Sequence, residues 1–158
     1  MGLGTLLGGS LVICILAVLL AAAMAAIKLW RQSLFVLVTL VALPLSLGLK
    51  ALWGRERPNP LTVHVLNPVS GFSFPSGHVL GSTVFYGFAA FLAWVHITNP
   101  WLRGLSVLAF GALIPFVAMS RIYVGAHWLS DVVGALAIGL IVLVVLCSLY
   151  QADTEKRA

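Results

Sequence analysis

The chain has 158 residues, of which 61% are hydrophobic and 8% charged, and its mean hydropathy is +1.11. A soluble domain carries roughly 25% charged residues in a polar skin, so this composition excludes a water-soluble globule and indicates a helical protein that crosses a membrane several times. The net charge of +5 and pI of about 9.8 come without a Lys/Arg run, a zinc-ligand spacing or an aromatic-basic strip, which excludes nucleic acid as the expected partner and leaves membrane lipid.

Hydropathy divides the chain into about five spans, near 5–27, 33–52, 76–97, 101–120 and 127–150. Each is about 20 residues long, enough at 1.5 Å per residue to cross ~30 Å of hydrocarbon. The expected fold is an all-α, polytopic transmembrane bundle forming a single domain over residues 1–158. Residues 1–27 look like a signal peptide with Ala21–Ala26 as its cleavage region. No Lys or Arg precedes the apolar run, however, and the run is too long for an h-region, so a retained helix is expected. Cys14 and Cys147 lie in separate apolar stretches and read as small packing residues.

Pro44 is expected to kink the second span. Arg57 precedes Pro58 and is pushed out of helical geometry, so that span ends before it. The loop 53–75 carries Pro58, Pro60, Pro68, Gly71 and Pro75 and is too polar to continue a helix. Gly77, Gly81 and the pair Ala135/Gly139 offer small faces for close helix packing. Asn99-Pro100 reads as an N-cap followed by proline at N1 before the fourth span, and Pro115 is expected to kink it. Trp30, Trp53, Trp94, Trp101 and Trp128 lie near span ends, as interfacial anchors do. Gln151–Ala158 is a short polar tail.

Three polar islands interrupt the oily chain: Lys50 through Arg57-Pro58, Pro75-Ser76-Gly77-His78, and Ser120-Arg121 with His127 and Asp131. A charge within a membrane segment costs ~2.5–3.5 kcal/mol on insertion scales, so such residues imply function. Alternating crossings bring all the islands to one side. The other side carries Lys28, Arg31, Arg103, Lys156 and Arg157. Once the island cations are discounted for their site roles, the positive-inside rule sets the islands outside and the C-terminus in the cytoplasm.

The island residue types suit phosphate. His127 and Asp131, four apart at the start of the last span, share a helix face. A carboxylate bonded to one imidazole nitrogen fixes the tautomer and frees the other nitrogen to attack. Ser76 can cap the third span, Gly77 lets backbone N–H groups approach an anion, and His78 can protonate a leaving oxygen. A helix N-terminus lowers an imidazole pKa, so His78 needs the bound phosphate's charge to stay protonated. Lys50, Arg57 and Arg121 supply positive charge for the phosphoryl oxygens. Read singly, each island is ordinary: a His–Asp pair capping a helix, a helix start, or cations snorkelling to the interface. Glu56 reads as a partner of Arg55 or Arg57 or as solvent-facing, His64 as a solvated loop residue, and His96 as remote from the chemistry. Two histidines and one carboxylate among several cations disfavour a metal site, and no cofactor is expected.

Together the islands resemble the type 2 phosphatidic acid phosphatase superfamily, the membrane lipid phosphate phosphatases related to vanadium haloperoxidases. That family's pattern is K-x6-R-P, then P-S-G-H, then S-R-x5-H-x3-D. Lys50 to Arg57-Pro58, Pro75 to His78, and Ser120-Arg121 through His127 to Asp131 match it without a gap. The resemblance implies that His127 forms a phosphohistidine, Asp131 is its partner, and His78 is the acid for the leaving group. It also implies that Lys50, Arg57, Ser76, Gly77 and Arg121 cradle the phosphate with no metal required. Bacterial membrane relatives commonly have six spans, and one is lacking here before the first motif. A short form, a truncated piece and a gap filled by another subunit are the readings of that departure.

The expected activity is hydrolysis of a terminal phosphate from a lipid phosphate at the outer membrane face. Undecaprenyl pyrophosphate, phosphatidylglycerophosphate and phosphatidic acid are candidate substrates, and the short loop between the first two motifs favours a compact prenyl pyrophosphate headgroup. The alternatives are phosphotransfer to an acceptor other than water and a non-catalytic anion-lipid transporter or scaffold. The pair His127 and His78 speaks for chemistry, because binding alone needs only the cations. The oligomeric state is not legible in the sequence.

Overall fold

A computed structural model describes residues 2–59, 61, 63–66 and 69–156. Pro60, Pro68 and Arg157, which entered the loop and charge readings, lie outside the described residues. All regular structure among the described residues is helical. In chain order the helices are α1 (Gly2–Leu7), α2 (Ser10–Ala26), α3 (Trp30–Val38), α4 (Ala42–Trp53), α5 (Gly77–His96), α6 (Pro100–Tyr123) and α7 (Leu129–Glu155), with a 3-10 turn at Thr39–Val41 joining α3 to α4.

Four stretches are long and apolar enough to cross a membrane: Trp30–Trp53, Gly77–His96, Pro100–Tyr123 and Leu129–Glu155. α2 is a shorter apolar helix of 17 residues. The expected first span over 5–27 is therefore interrupted. Gly8-Gly9 lowers helix propensity, and Gly9 takes an extended conformation (φ −62°, ψ 136°) that separates α1 from α2. Gly4 and Gly8 then let α1 lie close on α6: a Cβ on Gly4 would stand 2.7 Å from Ser120 Cβ, and one on Gly8 2.5 Å from Val117 Cγ1.

The prolines act differently in their two helices. Pro44 lies in the first turn of α4 and has no N–H for the carbonyl of Leu40, and the chain tightens to the 3-10 turn just before it. Pro115 lies inside α6, which runs unbroken from Pro100 to Tyr123. Asn99 does cap α6: its Oδ1 accepts from Trp101 N at 3.0 Å and Leu102 N at 3.1 Å. α4 ends at Gly54, whose left-handed φ of 59° lets its N–H reach the Lys50 carbonyl at 3.0 Å.

α5 is the hub. Two thirds (67%) of its apolar window is buried, against 22% for each of the other three spans, and it packs against α2, α3, α4, α6 and α7. Leu80, Val84 and Phe88 of α5 meet Ile13 and Ala17 of α2, Val36 of α3 and Ala135 of α7 in the core. Gly139 fits against Thr83, where a Cβ would stand 2.8 Å from Thr83 Cβ. Many leucines and valines face outward, as a lipid-bathed surface requires.

The end of the bundle away from the motifs is tied by Arg31. Its guanidinium pairs with Asp153 at 2.6 Å, donates to Tyr150 O and Thr154 Oγ1, and lies 3.9 Å from the Tyr150 ring centroid. Tyr150 OH meets His96 Nε2 at 2.7 Å, so His96 belongs to this far cluster. Gly139→Val should overpack the α5–α7 seam and cost about 1–3 kcal/mol, lowering the unfolding midpoint in detergent. Gly104→Ala, with nothing within 4 Å of its added Cβ, should leave that midpoint unchanged or raise it slightly. Equal midpoints for the two variants would contradict the close seam.

Candidate active site

The motif ends meet as the alternation of spans requires. Lys50 leaves the last turn of α4, His78 opens α5, Arg121 closes α6, and His127 stands in the short link before α7. These four, with Arg57 and Gly77, line one cavity of about 790 Å³. Ser76 and Asp131, both with no exposed surface, lie behind its wall. Glu56 is exposed, and His64 is exposed on a loop whose backbone packs on Gly125. Arg55 and Arg57 take partners other than Glu56, which leaves Glu56 with the solvent-facing reading.

The geometry about His127 departs from the expected direct His–Asp bond. His127 Nδ1 and Asp131 Oδ2 are 3.6 Å apart, too far for a hydrogen bond. Ser73 fills the gap: its Oγ stands 3.3 Å from His127 Nδ1 and 2.5 Å from Asp131 Oδ2. On the other side of the ring, Arg57 NH1 lies 3.3 Å from Nε2. A guanidinium can only donate, so Nε2 accepts and the ring proton sits on Nδ1. Nδ1–H then donates to Ser73, and Ser73 donates to the carboxylate. Burial, reinforced by the positive charges of Arg57, Lys50 and Arg121 and by His78, holds the His127 imidazole well below its usual pKa and keeps it neutral.

Asp131 is fully buried and fully engaged. Arg55 NH1 donates to Oδ1 at 2.8 Å, and Trp128 N donates to Oδ2 at 2.9 Å as the start of α7 folds over its own N3 carboxylate. Its backbone carbonyl accepts from Ser76 N at 3.3 Å, tying α7 to the start of α5. Arg57 is fixed by Gly71 O at 2.9 Å and Ala126 O at 2.8 Å, and Lys50 Nζ by Phe72 O at 2.7 Å. The loop 69–74 thus positions both cations with its carbonyls and His127 with a hydroxyl.

Several donors beside the cavity have no partner. Ser76 stands at the N-cap of α5 but makes no side-chain cap bond, contrary to expectation, and its buried Oγ is unpartnered. Arg121, 3% exposed, donates from NH1 to Thr5 Oγ1 at 2.9 Å, while its Nε has no partner. Buried donors left unmade are costly, and an anion on the α5 N-terminus would satisfy them. Among the described residues no group of three or more His, Cys, Asp or Glu side chains is arranged to hold a metal.

Sequence reasoning missed Ser73 and Arg55. Ser73 stands three residues before Ser76, and Arg55 lies inside the K-x6-R-P spacing, where any residue is allowed. Their role is visible only once the loop has folded onto α7.

The chain is similar to known phosphatases. Phosphatidylglycerophosphatase B of Bacillus subtilis (strain 168) is 34% identical over 119 residues, covering 72% of this chain and 55% of the relative. The chain therefore spans little more than half that relative's length. YbjG of Escherichia coli (strain K12), whose name proposes it as an undecaprenyl-diphosphatase, is 31% identical over 142 residues, covering 83% of this chain and 67% of the relative. The crystal structure of a transmembrane PAP2-type phosphatidylglycerolphosphate phosphatase from Bacillus subtilis superposes with a TM-score of 0.78 at 32% identity, covering 97% of this chain and 74% of that one. The family model for the PAP2 superfamily matches residues 10–155, and the chain belongs to that superfamily.

Proposed function

We propose that the chain is an integral-membrane phosphatase that removes a terminal phosphate from a lipid phosphate or prenyl diphosphate, with residues 1–158 acting as one unit. The observation that carries this reading is the His127 ring. Its Nε2 faces a cavity bordered by Lys50, Arg57 and Arg121, and its partners hold the proton on Nδ1. The Nε2 lone pair attacks phosphorus as the bond to the leaving oxygen breaks, and His78 gives that oxygen a proton. Arg57 shifts its N–H from Nε2 to a phosphate oxygen. Lys50, Arg121 and the first turn of α5 stabilise the remaining charge. Water then attacks the phosphohistidine, His78 takes its proton, and the P–N bond breaks to release phosphate.

No metal is assigned a part. The cavity's cations repel a divalent ion, no carboxylate is among its described lining residues, and Asp131 is already bound by Arg55, Ser73 and Trp128. The relatives' names make phosphatidylglycerophosphate and undecaprenyl diphosphate the first substrates to test. Lys28, Arg31, Arg103 and Lys156 at the far end support a cytoplasmic C-terminus and a site on the outer face.

Purified protein should release free phosphate from these lipids with EDTA present. Loss of activity in EDTA would reject the metal-free mechanism, and a phosphorylated acceptor in place of free phosphate would reject hydrolysis. His127→Ala should lose about 10³-fold or more in kcat, and His78→Ala about 10²–10⁴-fold. Unchanged turnover in His127→Ala would remove the nucleophile.

Ser73→Ala should lower kcat roughly 10- to 100-fold, the scale of one hydrogen bond to a charged group, with KM little changed. The loss should vanish when Ser73→Ala is added to Asp131→Asn. Additive losses would mean that the two side chains act separately.

The depressed pKa of His127 also predicts a pH dependence of stability. The folded value lies below the unfolded one, so its contribution is complete above ~6.5 and declines as pH falls. Between pH 6.5 and 5 the unfolding midpoint should fall more steeply in the native chain than in His127→Gln. Parallel slopes would show a ring that titrates normally.

A further inference from the structure

Ser46 lies outside every motif. It sits on α4, four residues before Lys50, so the two share a helix face. It is 3% exposed and borders the cavity, and its Oγ has no hydrogen-bond partner. Buried hydroxyls inside helices commonly bond back to a carbonyl one turn earlier. Thr39 does so to Val36 O at 2.6 Å, Thr83 to Val79 O at 2.8 Å, and Ser120 to Val117 O at 2.7 Å. Ser46 does not.

Its hydroxyl lies instead against the start of α5. A Cβ built on Gly77 would stand 2.9 Å from Ser46 Oγ and 4.0 Å from Lys50 Cε. Gly77 is therefore held to glycine by this hydroxyl as well as by any ligand. The first-turn N–H groups of α5 have no side-chain cap, and the neighbouring Ser76 Oγ is also buried without a partner. A hydroxyl, a helix N-terminus and an ammonium held by the Phe72 carbonyl converge there. Ser82 is the informative contrast: it is equally buried and unpartnered, but it does not border the cavity.

We propose that Ser46 is a further phosphate-binding residue, its hydroxyl donating to an oxygen of a phosphate monoester seated on the first turn of α5 beside Lys50. This rests on the reading that the cavity takes the substrate phosphate, and it adds a contact that no motif residue supplies. α4 runs toward the motif end, so Ser46 stands one turn, about 6 Å, deeper in the bundle than Lys50. It meets the oxygen nearest the bundle interior and sets how deeply the phosphate seats, while Arg57 and Arg121 meet the others.

The test uses Ser46→Ala, which keeps helix propensity and removes only the hydroxyl, with Ser82→Ala as control. In the active protein, the inhibition constant for inorganic phosphate should rise roughly 10- to 100-fold in Ser46→Ala and less than twofold in Ser82→Ala. The same contrast should appear in phosphorus NMR titrations of inorganic phosphate into His127→Ala with and without Ser46→Ala. Phosphate affinity within twofold of the parent in Ser46→Ala, or equal losses in both serine variants, overturns the assignment. The titration needs no turnover. Full activity in His127→Ala would sink the proposed function, whereas intact phosphate binding in Ser46→Ala sinks this inference alone.

Discussion

The site depends on one buried carboxylate. Asp131 has no exposed surface, and a charge taken out of water must be paired and hydrogen-bonded or the fold pays for it. Three separate pieces of chain answer that demand: Arg55 from beyond α4, Ser73 from the loop before α5, and the Trp128 N–H at the start of α7. Satisfying Asp131 therefore draws the three motif regions together. The position of His127 follows from it, because the same Ser73 hydroxyl that meets the carboxylate meets the ring. Removing any one partner would disturb packing and chemistry together.

The two ends of the bundle are finished differently. At the far end Arg31 is ion-paired, stacked on Tyr150 and hydrogen-bonded, and aromatic rings of Phe35, Phe88, Phe91 and Tyr150 close the core beneath it. At the motif end Ser46, Ser76 and Arg121 keep unpartnered donors beside a cavity. Native proteins leave few buried groups unsatisfied, so a concentration of them marks a place built for a ligand. α5 joins the two ends. It is the most buried span, and it carries His96 into the far cluster and His78 into the cavity.

Much of this was legible in the chain because it is local. Asn99-Pro100 announces the start of α6, and the three motifs name six of the residues that border the cavity. Other features depend on what lies opposite. Gly8-Gly9 reads as part of a continuous apolar run. It breaks the helix because the glycine face of α1 finds a seat on α6 beside Val117 and Ser120, a partner no window of residues reveals. Pro44 was expected to kink its helix, and the strain is taken up by a 3-10 turn on its N-terminal side. Ser73, Arg55 and Ser46 carry no pattern of their own. Ser73 and Arg55 gain their meaning from a carboxylate 58 or 76 positions away, and Ser46 from the glycine backbone 31 positions away and the cavity it borders.

A hydroxyl between imidazole and carboxylate changes what the pair can do. In a direct contact the carboxylate both orients the ring and attracts its proton. Here Ser73 orients the ring, while the charge of Asp131 stands further off and is shared with Arg55. Burial and the cations about the ring already disfavour the imidazolium, so the neutral ring does not rely on Asp131 for its ionisation state. What it requires is the correct tautomer and a fixed edge, and a neutral hydroxyl supplies both. In the mechanism we propose, a ring that resists positive charge is also a better leaving group once phosphorylated. The low basicity that favours release weakens the ring as a nucleophile, so the proposed attack relies on the surrounding cations to hold and polarise the phosphate.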